Sequence, residues 1–345
     1  MEENLLKVEN LSVEFPDKKA NVEAVKQVSF QLRKGEILGI IGESGSGKTV
    51  LSKGILGLVP FPGQITSGTV WYKGEELDLF NERKMKRIRG KEIAYLIQNP
   101  MSAFNPMFSV RHHIKTALAK EEGKMADERI HELLQEVRIT MPGKCYPHQF
   151  SGGMLQRAAL AMAIAGKPNI LIADEPTTAL DVDLRKDILH LIREVAEKED
   201  MSVLLITHDF TALREISSKV IVMYAGMILE TGTLEVIYEN PAHPYTKLLI
   251  YSAESMRHQK ELEEMNMRED ERSGVCPFYA RCPDAKEKCR TTMPEETYLG
   301  QEHFVRCHNF YGEIWKKYYW KGKNCPNIIK RIQGCWGRNK RKLLH

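Results

Sequence analysis

Gly42-Glu43-Ser44-Gly45-Ser46-Gly47-Lys48-Thr49 follows the apolar run Glu36–Ile41 and leads into a helical pattern that begins at Thr49. The spacing is G-x-x-x-x-G-K-[ST], and strand, loop and helix in that order are the setting in which it carries chemical meaning. The glycines let successive backbone N–H groups converge on phosphate oxygens, and the start of the helix adds positive potential. Gly42, Ser44, Gly45 and Gly47 then form the cradle. Lys48 is placed to reach β- and γ-phosphates, and the Thr49 hydroxyl to ligate Mg2+. A dinucleotide reading of Gly45-x-Gly47 fails, because Val50 stands where the third glycine is needed. A plain Gly/Ser turn is the bland alternative, so the partners of the loop decide the matter.

Working outward, Ile170-Leu171-Ile172-Ala173-Asp174-Glu175 is an apolar strand ending in two acids. Asp174 is expected to hold Mg2+ through water, and Glu175 to polarise an attacking water, the work a carboxylate does in phosphoryl transfer to solvent. Taken alone, an acidic turn after a core strand is common. Thr49 and Asp174 are 125 residues apart, too far for a minimal core, so a segment is inserted between them.

Short apolar runs alternate with helical patterns throughout this region, the rhythm of an α/β fold with a largely parallel sheet. Glu36–Ile41, Glu92–Ile97, Ile170–Ala173 and Val203–Thr207 read as buried strands, and Lys219–Glu230 as a hairpin turning at Ala225–Gly226. Ala126–Arg138 and Leu184–Glu197 show apolar residues at helical spacing. Glu254–Gly274 is polar and reads as a linker or a solvated helix.

Composition narrows the class. The chain has 345 residues, 42% hydrophobic and 28% charged, which fits about two folded domains and excludes disordered, collagen-like and coiled-coil proteins. The longest apolar stretch, Ala158–Gly166, is stopped by Lys167 and Pro168, well short of the roughly 20 residues a membrane span needs. Glu2 and Glu3 stand where a secretory signal would place basic residues, so a cytosolic chain is expected. The net charge of +4 is unevenly spread: Tyr311–His345 holds ten of the 50 basic residues and one of the 46 acids, a tail of +9 on a body of −5. The body is therefore not expected to bind nucleic acid.

Further residues carry a family resemblance. Phe150-Ser151-Gly152-Gly153-Met154-Leu155-Gln156-Arg157, shortly before Asp174, resembles the signature segment of ABC-type ATPases. Gln98 in Leu96-Ile97-Gln98-Asn99-Pro100 resembles their Q-loop, Thr178-Ala179-Leu180-Asp181 their D-loop, and His208 in Ile206-Thr207-His208-Asp209 their switch histidine. Phe15 stands where the family stacks an aromatic ring on adenine. Phe150 and Met154 replace the usual leucine and glutamine, but Ser151-Gly152-Gly153 is intact. The resemblance spans about residues 5–235. It implies a P-loop NTPase (RecA-like) core with an inserted α-helical subdomain, Mg2+ held by Thr49, Gln98 and Asp174, and catalysis by Glu175, His208 and Gln98. It also implies a dimer in which Ser151, Gly152 and Gly153 of one chain face the ATP of the other.

Tyr146-Pro147-His148-Gln149, Asn99-Pro100-Met101-Ser102-Ala103-Phe104-Asn105-Pro106 and Asn240-Pro241-Ala242-His243-Pro244-Tyr245-Thr246 narrow the resemblance to ATPase subunits of oligopeptide, dipeptide and nickel importers. Such a subunit works at the cytoplasmic face of the membrane as a peripheral protein. It partners a second, related ATPase chain and two membrane permease subunits, and it serves a solute-binding protein indirectly. Asn99–Val110 is then the expected permease contact, against the alternative of an exposed loop with Pro-fixed turns. Rival readings are a soluble ABC ATPase acting on ribosome or DNA, and an exporter ATPase. The first usually carries two cassettes or a long coiled-coil insertion, neither of which occurs here.

Seven cysteines is an odd number for a disulfide framework and the compartment is expected to be reducing, while four of them lie within 32 residues, which favours a metal over disulfides. Cys276, Cys282, Cys289 and Cys307 form a small C-terminal module, and their gaps lack the tight knuckle usual in zinc sites. Their spacing resembles the importer family's C-terminal segment, where four thiolates hold a [4Fe–4S] cluster; zinc is the alternative. Cys145, Cys325 and Cys335 are expected to be ordinary thiols, and His303 and His308 bystanders. In the tail, Tyr311, Ile314, Trp315 and Tyr318 share one helical face. That suits contact with anionic lipid, and a solvated extension is the other reading.

The expected organisation is a nucleotide-binding core at residues 1–90 and 165–250, a helical insertion at 91–164, a linker and four-cysteine module at 251–310, and a basic aromatic tail at 311–345.

Overall fold

The computed structural model describes residues 4–17, 21–118, 123–140, 144–178, 180–257 and 275–310. It divides into two units, Met1–Glu235 and Val236–His345.

The first unit opens with two alternating strands, β1 (Asn4–Phe15) and β2 (Val22–Arg33), paired antiparallel. β3 (Ile37–Ile41), buried at all five positions, runs into α1 (Lys48–Ile55). β4 (Gln64–Tyr72) returns antiparallel to β1, and β5 (Glu75–Glu76) extends that sheet, giving the order β2-β1-β4-β5. α2 (Glu82–Ile88) precedes β6 (Ile93–Leu96), and three helices follow: α3 (Val110–Leu118), α4 (Gly123–Glu136) and α5 (Gly152–Ile164). β7 (Ile170–Asp174), α6 (Val182–Lys198), β8 (Ser202–Thr207), α7 (Phe210–Ile216), β9 (Lys219–Tyr224) and β10 (Met227–Thr233) complete it. Within this unit the second sheet has the order β10-β9-β3-β8-β7-β6. β6, β7, β8, β3 and β9 are mutually parallel and β10 is antiparallel to β9.

A parallel sheet covered on both faces reads as unbroken apolar runs, because each strand buries both rows of side chains. One face explains α1. Leu38 and Ile40 on β3, Ile170 and Ile172 on β7, and Leu204 and Ile206 on β8 join Leu51 and Ile55 of α1 in one core. Leu6, Leu11, Val13 and Val28 of the antiparallel sheet close it from the other side. The helix that begins at Lys48 is thus clamped between two sheets, which fixes the loop before it.

The strand and helix expectations hold, with ends moved by one to three residues. The Lys219–Glu230 hairpin turns at Ala225 and Gly226, both left-handed at φ +47° and +83°, the backbone a two-residue hairpin turn demands. α6 starts at Val182 because the Asp181 carboxylate accepts the Leu184 N–H at 2.9 Å and caps it. Two boundaries differ from expectation: the units divide after Glu235, inside the core expected at 165–250, and the helical insertion begins later than residue 91. β6 pairs with β7 inside the main sheet, so the helical segment starts after Leu96 and not at residue 91. The antiparallel sheet of β1, β2 and β4 was not foreseen.

The boundary between the units falls within α8 (Leu234–Glu239). The second unit holds α9 (Pro244–Arg257), α10 (Glu287–Thr291) and a hairpin of β11 (Glu296–Gly300) with β12 (His303–Arg306). Its small core sets Val305, Cys307 and Ala242 together, and the buried rings of Tyr245 and Phe278 meet with centroids 5.4 Å apart. Most of the expected linker and the whole of the 311–345 tail lie outside the described residues.

Candidate active site

In an open parallel sheet, ligand sites form beyond the carboxyl ends of the strands. Here four neighbouring strands deliver their loops to one edge: β3 leads to Gly42–Thr49, β8 to His208, β7 to Asp174 and Glu175, and β6 to Gln98.

The Gly42–Thr49 loop is shaped by two close approaches. A Cβ on Gly42 would fall 2.2 Å from the Met223 carbonyl oxygen, and one on Gly47 would fall 2.3 Å from that of Ala24. Gly47 also has φ +99°, where any other residue is strained. Ser44 and Gly45 are exposed at the loop's apex. Lys48 folds back into the loop, its Nζ donating to Gly42 O at 2.7 Å, Glu43 O at 2.9 Å and Ser46 Oγ at 3.3 Å. Burial pushes this amine below the usual lysine range, opposed by the nearby carboxylates of Glu175, Asp174 and Glu43. The ammonium therefore has an incentive to gain an anion.

Asp174 is the hub. Thr49 Oγ1 donates to its Oδ1 at 3.1 Å, and Tyr95 OH donates to its Oδ2 at 2.7 Å. Burial holds the Asp174 carboxyl above the ordinary range, against the pull of those hydrogen bonds and of Lys53. A hydroxyl beside a carboxylate is a hard-oxygen pair of the kind Mg2+ selects, so the residues present fit the ion.

Glu175 has a left-handed backbone at φ +49°, held by donation of its N–H to Ile206 O at 2.8 Å. Its Oε2 accepts from Thr178 Oγ1 at 2.6 Å and from His208 Nδ1 at 2.7 Å. An ionised carboxylate only accepts, so the His208 proton on this contact sits on Nδ1. Oε1 has no hydrogen-bond partner among the described residues. The Glu175 side chain is 12% exposed and that of His208 55%, so the acid is sheltered and the histidine looks outward. Behind His208, Asp209 accepts the Thr211 N–H to cap α7 and pairs with Arg185 at 2.5 Å.

Lys48, Thr49, Asp174, Glu175 and His208 are thus gathered at one place. Gln98 is exposed two residues past β6, and no hydrogen bond joins it to the cluster among the described residues. Phe15, at the end of β1, is half-buried and lies over Gly63, where a Cβ would fall 2.6 Å from the ring. Ser151 caps α5, accepting the Met154 N–H at 3.3 Å. Ser151 and Gly152 are exposed, and a Cβ on Gly152 would meet nothing within 4 Å. That helix start is open to a ligand or partner and lies apart from the Lys48 cluster in its hydrogen bonding. Ala179 is outside the described residues. Two members of the site were missed from sequence, Tyr95 and Ser52, and Thr178, read there only as part of the D-loop, also holds Glu175. The parity of β6 could have found Tyr95, since it pairs with Ile172 and shares a sheet face with Asp174.

The model for the family described as "ABC transporter" matches residues 25–178, and that for "Oligopeptide/dipeptide transporter, C-terminal region" matches 229–289. The dipeptide transport ATP-binding protein DppD of Haemophilus influenzae is 42% identical over 88% of this chain and 95% of its own length. This chain belongs to the ABC transporter ATP-binding subunits. The oligopeptide transport ATP-binding protein OppD of Bacillus subtilis is 44% identical over 75% of this chain and 74% of its own. Among solved structures, the dimeric post-hydrolysis state of the ATP-binding cassette MJ0796 bound to ADP and Pi has a TM-score of 0.60 at 25% identity, covering 66% of this chain and 98% of that one. The ABC subunit is accordingly an ATPase coupled to transport, with the P-loop NTPase fold.

In the ABC subunit's second unit, Cys276, Cys282, Cys289 and Cys307 are buried and joined in no disulfide. Burial raises Cys276, and pushes Cys282 up to about 12. Among the described residues, no three His, Cys, Asp or Glu side chains are gathered closely enough to hold a metal ion. The four thiols as placed do not form a metal centre. Cys145 is likewise in no disulfide, and His308 bonds the Thr292 carbonyl at 2.9 Å.

Proposed function

We propose that this ABC subunit hydrolyses ATP to drive an importer for peptides, nickel or a related small solute. The observation that carries the reading is the intact Lys48–Thr49–Asp174–Glu175–His208 cluster in a chain that aligns with dipeptide transport ATP-binding proteins over 88% of its length. The match to an oligopeptide/dipeptide transporter C-terminal region favours an importer over a ribosome- or DNA-acting ATPase or an exporter.

The chemistry follows from the atoms present. The loop amides and Lys48 bind the β- and γ-phosphates, and the ammonium exchanges three neutral oxygens for anionic ones. Thr49, Asp174 and Gln98 would hold Mg2+, which when bound neutralises charge on the phosphate oxygens. Water attacks the γ-phosphorus as the bond to the ADP oxygen breaks. Glu175 Oε1 is open to orient that water and take its proton, while Thr178 and His208 occupy Oε2 and hold the carboxylate still. Ser151, Gly152 and Gly153 would cover the nucleotide of a second ATPase subunit, and Phe15 would stack on adenine.

The subunit's expected seat is the cytoplasmic face of the membrane, held by two permease subunits and serving a solute-binding protein. No described helix is long and apolar enough to cross a membrane. Met101, Met107 and Phe108 are exposed apolar side chains within Asn99–Val110, which supports that stretch as the permease contact. The four-cysteine module is proposed to take a [4Fe–4S] cluster or zinc only by drawing its thiols together. The lipid reading of the tail rests on sequence alone. The decisive experiment is reconstitution of the assembled transporter in liposomes. ATP-dependent uptake of dipeptide, nickel or a related solute that is lost in Lys48→Ala supports the reading; co-purification with ribosomes instead of membrane subunits overturns it.

A further inference from the structure

Tyr95 is the side chain at the site that neither the motifs nor the family assignment accounts for. It lies on β6 in register with Ile172 of β7, so it shares a sheet face with Asp174 two residues further along. Its hydroxyl donates to Asp174 Oδ2 at 2.7 Å, leaving Oδ1 to Thr49. The ring packs against the core that surrounds α1. Ser52, wholly buried on α1, sits with Oγ 3.1 Å from the Tyr95 oxygen and 2.9 Å from the Thr49 carbonyl. The proton directions are fixed by the acid. A carboxylate only accepts, so Tyr95 donates to Asp174; Ser52 donates its one proton to the Thr49 carbonyl and reaches the Tyr95 oxygen only as the weaker arm of a shared, three-centre bond.

We propose that Tyr95 is a positioning residue for Mg2+: its hydroxyl, backed by Ser52, pins Asp174 Oδ2 so that Oδ1 and the Thr49 hydroxyl face the ion. The inference rests on the nucleotide-site reading above. Thr49 donates its one proton to Oδ1 at 3.1 Å and keeps its lone pairs for the ion, while Tyr95 holds Oδ2 at 2.7 Å. Both carboxylate oxygens are thereby restrained, and the one that would face Mg2+ or its water does not rotate away. A hydrogen bond to the non-ligating oxygen of a metal-binding carboxylate also orients it, and removing such outer partners typically weakens metal binding by ~10–100-fold. Gln98, another expected Mg2+ ligand, follows Tyr95 by three residues on the same strand end. One backbone segment thereby carries both the support of Asp174 and a second group for the ion.

The alternative is that Tyr95 is only a packed ring, and Tyr95→Phe separates the two because it keeps the ring and removes the hydroxyl. Mn2+ binding to the full-length chain is followed by electron paramagnetic resonance with a non-hydrolysable ATP analogue present. Half-saturating Mn2+ is expected to rise ~10–100-fold in Tyr95→Phe, with analogue binding in EDTA unchanged, and to rise less in Ser52→Ala. An unchanged Mn2+ half-saturation in folded Tyr95→Phe overturns the proposal. If that variant does not fold, an unchanged value in Ser52→Ala does so. Asp174→Asn identifies which claim has failed: Mn2+ binding that survives in Asp174→Asn refutes the metal site itself, whereas loss there with wild-type behaviour in Tyr95→Phe refutes only the role of Tyr95.

Discussion

Replacing Glu175 by Gln separates catalysis from architecture at this site. Gln has the size of Glu and one carbonyl oxygen with two lone pairs, which placed at Oε2 can keep both the hydrogen bond from Thr178 and that from His208, now at 2.6 and 2.7 Å. Each hydrogen bond weakens from charge-assisted to neutral, a loss of about 1 kcal/mol, or a fall of roughly 2–4 °C in Tm for a domain of this size. What disappears is the proton acceptor at Oε1. Loss of a positioned general base costs typically ~10²–10⁴-fold, equivalent to about 3–5 kcal/mol in the barrier. Hydrolysis by the assembled transporter should therefore fall by at least ~100-fold, while ATP binding persists and the ATP-bound dimer accumulates on a sizing column. Near-wild-type turnover by folded Glu175→Gln would show that the water loses its proton elsewhere.

Gly47→Ala should abolish nucleotide binding and lower stability by ~1–2 kcal/mol from the left-handed backbone alone, before the 2.3 Å approach to Ala24 O is counted; calorimetric melting and ATP titration read both. Ser151→Ala removes an N-cap worth about 1 kcal/mol. It should leave ATP binding by the isolated chain intact while lowering turnover of the dimer, because the exposed helix start acts on the partner's nucleotide. Cys282→Ala should lower the iron or zinc content of anaerobically purified protein, and a wild type free of both metals would remove the metal reading of the module.

Much of the first unit could be read from sequence because its sheet is parallel and buried on both faces. Ile37–Ile41 and residues 170–173 and 203–206 are runs without a charged or hydroxyl side chain, and the polar groups that follow them, Asp174 and Thr207 among them, stand at the carboxyl ends, where the chemistry lies. The antiparallel sheet escaped because β1 and β2 alternate polar and apolar residues and carry no motif. Its register is interrupted by several bulges, which blur the period. Tyr95 and Ser52 escaped for another reason. Each looks like an ordinary residue of a strand or helix, and only the register of β6 on β7 and the placement of α1 bring the Tyr95 hydroxyl to Asp174 and that of Ser52 to Tyr95. The four cysteines could be found from sequence as a group, but chain spacing does not fix the distances between their sulfurs.

The account stands on the Gly42–Thr49 loop and Lys48 gripping a triphosphate. Isothermal titration of the purified assembly with ATP and Mg2+, beside Lys48→Ala, addresses that directly. Saturable heat of binding in the wild type and its loss in Lys48→Ala are the predicted results. A wild type that takes up no nucleotide, or a Lys48→Ala variant that binds it equally well, would contradict the account.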